Sequence, residues 1–353
     1  MTGSDSTPRP QDHEGPDVKE IRLATEAWCA RDDRIAAASY LGTFAVYFAT
    51  LGLALFWSVW WPVTAALIVV NALSGVRLYV LQHDCGHHSL FASRRANDLA
   101  GYGLSTFTLT PYRTMQVNHN SHHAHVGNLD ARDTGEIHTM TLREFRAATP
   151  WERLKYRLYR NPLLMLPVGG ILTYAIRYRW PRNTTRVGIP EVMAQNAALA
   201  LWVGLIWLAS GDRGLVIYAL TVAVAGTVGV FCVYLQHNFE ETHWDRPPSH
   251  NIREASLHGS SALDLGWWFD LATGNIAYHD LHHFNPRIPS YRLRQCHRAL
   301  RDRFQLPTIG WAAALRSFTL KLWDEDRHRL VPFPTPLSQD IAALLPRRAR
   351  RPA

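Results

Sequence analysis

Cysteine is scarce in this chain: Cys29, Cys85, Cys232 and Cys296 stand far apart, and no CxxC pair occurs. That spacing excludes a disulfide scaffold and a thiolate metal site, and it suits a reducing compartment. Cys85 lies inside a histidine motif, where a packed small side chain is the simpler reading than a ligand. Other absences narrow the chemistry further. The chain has no HExxH zinc motif, no phosphate-binding loop and no evident serine triad. A cleavable secretory signal is missing as well, because the first apolar run begins only near Ile35 and is not followed by a small-residue cleavage pattern. The formal net charge of +8 accompanies no nucleic-acid-binding motif, so the basic character is assigned to anionic lipid headgroups and not to nucleic acid.

What the chain does have is apolar residues, 47% of its 353 positions, with 13 Trp among them. A mean hydropathy of −0.14 conceals how sharply they are segregated. Residues 1–34 are polar and contain Pro8, Pro10 and Pro16, which predicts a largely disordered leader. Residues 336–353, ending in RRARRPA, read as a basic tail that is solvated or lies on headgroups, leaving one domain at 35–335. Within it, four stretches reach the roughly 20 helical residues that a hydrocarbon core requires: about 35–57, 61–81, 192–209 and 215–235. The short connections at 58–60 and 210–214 make each pair a helical hairpin. Both termini and the long central segment then share one side. Five Lys and Arg precede the first stretch, 14 lie between the pairs and 16 follow the fourth, against Arg213 alone in the two connections. That bias makes the shared side cytoplasmic. Arg77, inside the second stretch, is expected to snorkel or to pair within the bundle. Two shorter apolar stretches, at 99–111 and 162–178, read as interfacial or re-entrant helices.

Nine histidines form a pattern: His83 and His87 in HDCGH, His119, His122 and His123 in HNSHH, His237 in QHNFE, and His279, His282 and His283 in HDLHH. Residues three and four apart share a helix face, so each cluster aims its imidazoles at one point. A single ion uses three or four such ligands; nine suit two metal ions in one cavity. His83 and His237 come where apolar stretches end, so the ends of two membrane helices would form the base of the site. Each ligand ring has a second N–H that needs an acceptor, and Asp84, Asp280 and Glu240 are the sequence-adjacent carboxylates available for it. His88 and His125 break the spacing and stay outside the set. The fold class follows: an all-α integral membrane protein, four transmembrane helices in two hairpins, with a helical cytoplasmic cap holding a histidine-rich dimetal site.

The motifs HDCGHHSLF, HNSHHAHVGNLDARDTGEIHTMT, KYRLYRNPLLM, YLQHNFEETHWDR and GSSALDLGWWFDLATGNIAYHDLHHFNPRIPSYRLRQCH resemble the membrane fatty acid desaturases, in particular the bacterial and plastid delta-12 (omega-6) branch. The resemblance runs from about Val80 to His297 in motif order, spacing and connecting sequence. It implies two non-haem irons, O₂ as co-substrate and a cis double bond placed in a bound acyl chain. The family's three histidine boxes fall on the three clusters named above, and its additional ligand falls on His237. The chain departs from the pattern at His88, at His243 and at Val233, where animal acyl-CoA desaturases carry an asparagine.

No fused cytochrome or flavin module is visible, so the resemblance implies an external electron donor such as ferredoxin. The acyl substrate would be linked to lipid, coenzyme A or acyl carrier protein, and the site would lie at the bacterial cytoplasmic membrane. Sister chemistries on the same scaffold, namely hydroxylation, acetylenation and epoxidation, share the first hydrogen abstraction. A non-catalytic membrane metal-binding protein is the rival of a different class.

Overall fold

The computed structural model describes residues 18–57, 59–132, 137–180 and 187–344; the expectations for residues 1–17 and 345–353 lie outside them. The chain is mostly helical. Helix α1 is Val18–Glu26, and α2, Asp33–Gly52, continues as a π-helical turn over Leu53–Trp57. The Asp32 side chain caps α2 by accepting from the backbone N–H of Arg34 and Ile35. Helix α3, Trp61–Gly86, starts with Pro62 in its first turn, where a missing N–H is harmless. Helix α4, Arg94–Thr108, carries most of the apolar stretch at 99–111 and packs beside α3. Helices α5 (Tyr112–His125), α6 (Leu142–Ala147), α7 (Pro150–Tyr159) and α8 (Pro162–Gly170) follow.

Helix α9 spans Ile189–His237, 49 residues, and with the Asp33–Trp57 and Trp61–Gly86 helices it is long and apolar enough to cross a membrane. As a straight rod it would measure about 73 Å, more than twice a hydrocarbon core. It is not straight. Gly211 adopts φ 61° and ψ −156°, a conformation that glycine alone takes without strain. A Cβ placed on Gly214 would lie 3.2 Å from Ile206 Cγ2, yet residues eight apart on a straight helix are separated by about 12 Å along its axis. The chain therefore changes direction at Gly211. Trp202 and Ile206 of the first limb join Ile217, Tyr218 and Val222 of the second in one apolar cluster with Tyr47 of α2 and Leu78 of α3. The stretches expected at 192–209 and 215–235 are these two limbs.

The remaining helices are α10 (Ile252–His258), α11 (Trp267–Ala272), α12 (His279–Phe284), α13 (Ser290–Phe304), α14 (Trp311–Ser317) and α15 (Leu337–Leu344). The fold is mostly helical as expected, with two small sheets that the sequence did not announce. Strand β1 (Ala262–Leu263) pairs in parallel with β2 (Thr308–Ile309), and β3 (Leu322–Asp324) pairs antiparallel with β4 (Arg329–Val331). Ala262 and Leu263 are buried, so their backbone groups need partners that no helix supplies there.

Both expected domain boundaries also fall inside packed structure. In the second half of the expected leader, Ile21, Thr25 and Cys29 are buried four residues apart, and Asn285 Nδ2 donates to Thr25 Oγ1 at 3.1 Å. At the other end, α15 docks on α7 through the buried Asp340, whose carboxylate pairs with Arg157 at 2.7 Å and Arg153 at 3.5 Å. Apolar burial and a satisfied buried charge hold both segments down despite their polar composition.

Helix α8 runs on through a π-helical segment, Ile171–Ile176, into Arg177–Arg179, and lies against the second limb of α9. The backbones touch: a Cβ on Gly170 would sit 2.4 Å from the Gly226 carbonyl carbon. Arg77 is paired inside the bundle, donating to Thr43 Oγ1 at 3.1 Å, Ser39 Oγ at 3.0 Å and the Leu271 carbonyl at 2.5 Å.

Candidate metal centre

Four elements deliver the histidines. The last turns of α3 carry His83 and His87, α5 carries His119, His122 and His123, α9 ends on His237, and α12 opens with His279. Local contacts fix their relative positions. Gly101 has no side chain, so the Tyr112 ring packs directly against α4, where a Cβ would overlap the ring. The Tyr112 hydroxyl donates to the Cys85 carbonyl at 2.8 Å, and Gln116 Nε2 donates to the Gly86 carbonyl at 2.7 Å, pinning α5 to the end of α3. Gln82, fully buried, donates to Ser105 Oγ and the Thr110 carbonyl and accepts from Thr108. Ser261 joins α9 to α12: its N–H and hydroxyl reach the Gln236 and Leu235 carbonyls, and its carbonyl accepts from His279 N–H.

The nine histidines gather into two adjacent groups. His83, His87, His119, His123 and His282 form one, and His122, His237, His279 and His283 the other; within each, one nitrogen per ring lies within 4.8 Å of all the others. The groups abut, with the His123 and His283 rings stacked at 4.2 Å. Cys85 is buried and belongs to neither.

The donor set fits metal ions. Nε2 atoms approach at 2.9 Å (His119 and His123), 3.0 Å (His123 and His282), 3.0 Å (His279 and His283) and 3.2 Å (His122 and His283). Two nitrogens on adjacent octahedral corners, with bonds of about 2.1 Å, stand about 3.0 Å apart. His83 Nε2 and His87 Nε2 are buried without a hydrogen-bond partner among the described residues. Burial, reinforced by the neighbouring rings, holds His119, His122, His123, His279, His282 and His283 well below the usual 6.5. They are neutral at pH 7, with lone pairs available to an ion.

The three carboxylates expected to brace these rings separate. Asp84 Oδ1 lies 3.4 Å from His83 Nδ1, while its Oδ2 accepts from Ser290 N–H at 2.8 Å. Asp280 is buried but faces His297, at 3.4 Å, and not a member of either group. Glu240 is corrected outright: it points to the surface and pairs with Arg316 at 3.2 Å. The helix ends at Asn238, so helical periodicity no longer directs a side chain two residues on. Sequence reasoning missed the Gly259 carbonyl, 3.1 Å from His237 Nδ1, because a backbone acceptor 22 residues away leaves no residue-type signal. His88 pairs with Asp98 and His125 with the Ser121 carbonyl, so both stay outside the groups.

A cavity of about 650 Å³ opens onto both groups. His83, His119, His122, His237 and His279 line one part of it; Val76, Met165, Leu172, Gly229 and Val230 line another. Such a space sets an apolar wall beside two groups of nitrogen donors that could hold metal ions.

Comparison with known proteins agrees with this geometry. The fatty acid desaturase family profile matches residues 58–313. A fatty acid desaturase of Bacillus subtilis is 32% identical over 89% of this chain and 90% of its own length. An sn-1 oleoyl-lipid 12-desaturase of Synechocystis is 25% identical over 66% of each chain. An sn-1 acyl-lipid omega-3 desaturase (ferredoxin) of the same organism is 25% identical over 83% of each. With the profile covering most of the sequence and the Bacillus relative matching almost end to end, this chain belongs to the fatty acid desaturase family.

Proposed function

We propose that this protein is a membrane-embedded, O₂-dependent desaturase with two non-haem irons that places a cis double bond in a fatty acyl chain. The observation that carries the reading is the pair of imidazole groups at the wall of an apolar cavity. His83, His87, His119, His123 and His282 would hold one ion, and His122, His237, His279 and His283 the other. When bound, a pair of irons supplies an O₂-derived oxidant able to take hydrogen from an unactivated methylene, which redox-inert zinc does not.

The chain's own residues contribute position. Asp84 holds the His83 ring from its Nδ1 side, and the Gly259 carbonyl does the same for His237. The cavity walls would present one stretch of an otherwise uniform hydrocarbon chain to the site, since selection among equivalent methylenes comes from geometry alone. The acyl chain would be carried by lipid, coenzyme A or acyl carrier protein, and the relatives named for acyl-lipid and oleoyl-lipid substrates favour lipid. Electrons would come from a separate carrier. The ferredoxin in the name of one relative supports that class, and so does this chain's positive charge, which attracts an acidic protein. In the membrane, α2, α3 and the two limbs of α9 would make four crossings in two hairpins, with the histidines on the cytoplasmic side that the Lys and Arg distribution selects.

Expression in a host without endogenous desaturation, followed by fatty acid and metal analysis, tests the reading. The expected outcome is a new cis double bond in the host acyl chains and iron in the purified protein. An oxygenated or triple-bonded product would assign it to a sister chemistry, and zinc without iron would overturn both.

A further inference from the structure

The cavity beside the histidines is closed below by two tyrosines. Tyr79 stands one helical turn before His83 on α3, and Tyr174 comes from the π-helical segment after α8. Their rings meet edge to face, with centroids 5.4 Å apart and planes at 80°. Beyond them lies a second, smaller apolar cavity of about 60 Å³, lined by Tyr47, Gly75, Phe107, Tyr218, Thr221 and Gly226 among others. Val76, Tyr79, Tyr174 and Gly229 line both cavities. Val76, Tyr79 and Tyr174 contribute side chains to the partition, and Gly229 contributes only backbone.

The two spaces together follow the second limb of α9 from His237 down to Tyr218, a depth of about 28 Å along the helix axis. Histidines aside, Arg177 is the one ionisable cation lining the upper cavity among the described residues, and no charged group lines the lower one. A chain with a polar head thus enters the lower space tail first. Gly229 makes the partition possible, because a Cβ there would come within 2.9 Å of the Tyr174 hydroxyl.

We propose that Tyr79 and Tyr174 set how far the methyl end of an acyl chain extends past the histidine groups, and that the cavity beneath them receives the extra length when the pair is opened. The inference rests on the acyl-desaturase reading and adds to it a residue pair that determines chain length.

The experiment uses the purified, iron-loaded full chain with acyl substrates of stepwise increasing length. Two readouts are taken: conversion, and affinity by displacement of a fluorescent fatty acid. Wild type should show a cut-off. Tyr174→Ala should raise conversion and affinity of the first rejected chain by about tenfold or more, the worth of a methylene in an apolar pocket; Tyr79→Leu should move the cut-off the same way. Gly75→Leu, whose Cβ would make only ordinary contacts at 3.9 Å and 4.0 Å, fills the lower cavity. Combined with Tyr174→Ala it should restore the original cut-off. An unchanged cut-off in both tyrosine variants, with wild type active, overturns the proposal and leaves the desaturase reading standing. Failure of wild type to bind or convert any chain length removes both.

Discussion

Glu144 is held from two sides: Arg132 donates to both of its oxygens, at 2.6 Å and 2.8 Å, and the Thr141 backbone N–H donates to one at 2.7 Å. These bonds draw its carboxyl from the usual 4.5 down to about 2. A folded-state value below the unfolded one gives stability that is present above pH 4.5 and lost as the pH falls toward 2. Glu144→Gln should lower stability at neutral pH and flatten the acid limb between those values, as thermal unfolding across a pH series would show. The effect should be modest, because the side chain is about a third exposed. Among single residues, the histidines were legible because three- and four-residue spacing is a local property of a helix. Their braces were legible only in part. Asp84 lies 3.4 Å from His83 Nδ1, whereas Asp280 and Glu240 are turned by tertiary packing toward His297 and Arg316, which adjacency in sequence does not encode.

At the level of packed segments, the crossing of α8 over α9 depends on two facing glycines. Gly170→Val should force the backbones apart and destabilise by about 1–3 kcal/mol, measurable by denaturant unfolding in detergent. Gly42→Ala is the control: a Cβ there meets nothing within 4 Å, so a helical alanine should be neutral or gain about 0.5–1 kcal/mol. The long apolar segments were readable from length and composition, and the turn between the limbs of α9 falls within the connection expected at 210–214. The docked α1 and α15 and the two sheets were not. Strands of two and three residues are too short for alternation to register, and a polar helix that buries a stripe of Ile21, Thr25 and Cys29 looks like a leader by composition.

Across the whole protein, the two histidine groups tie together α3, α5, α9 and α12, elements separated by up to 200 residues. Metal that binds only the folded arrangement adds its binding free energy to stability. Stripping with a chelator should lower the Tm, and ferrous iron should restore it, a gain of about 3–4 kcal/mol when free metal exceeds its dissociation constant 100- to 1,000-fold. A Tm indifferent to chelation would contradict shared ligation by the four elements. The anchoring of α1 has a practical corollary. Asn285, which follows the last helix of the histidine cluster, is gripped by Thr25 and Cys29. An expression tag spliced in place of Val18–Cys29 would cut that tether and loosen His279, His282 and His283 from a distance, whereas the same tag joined ahead of Val18 would leave the tether intact.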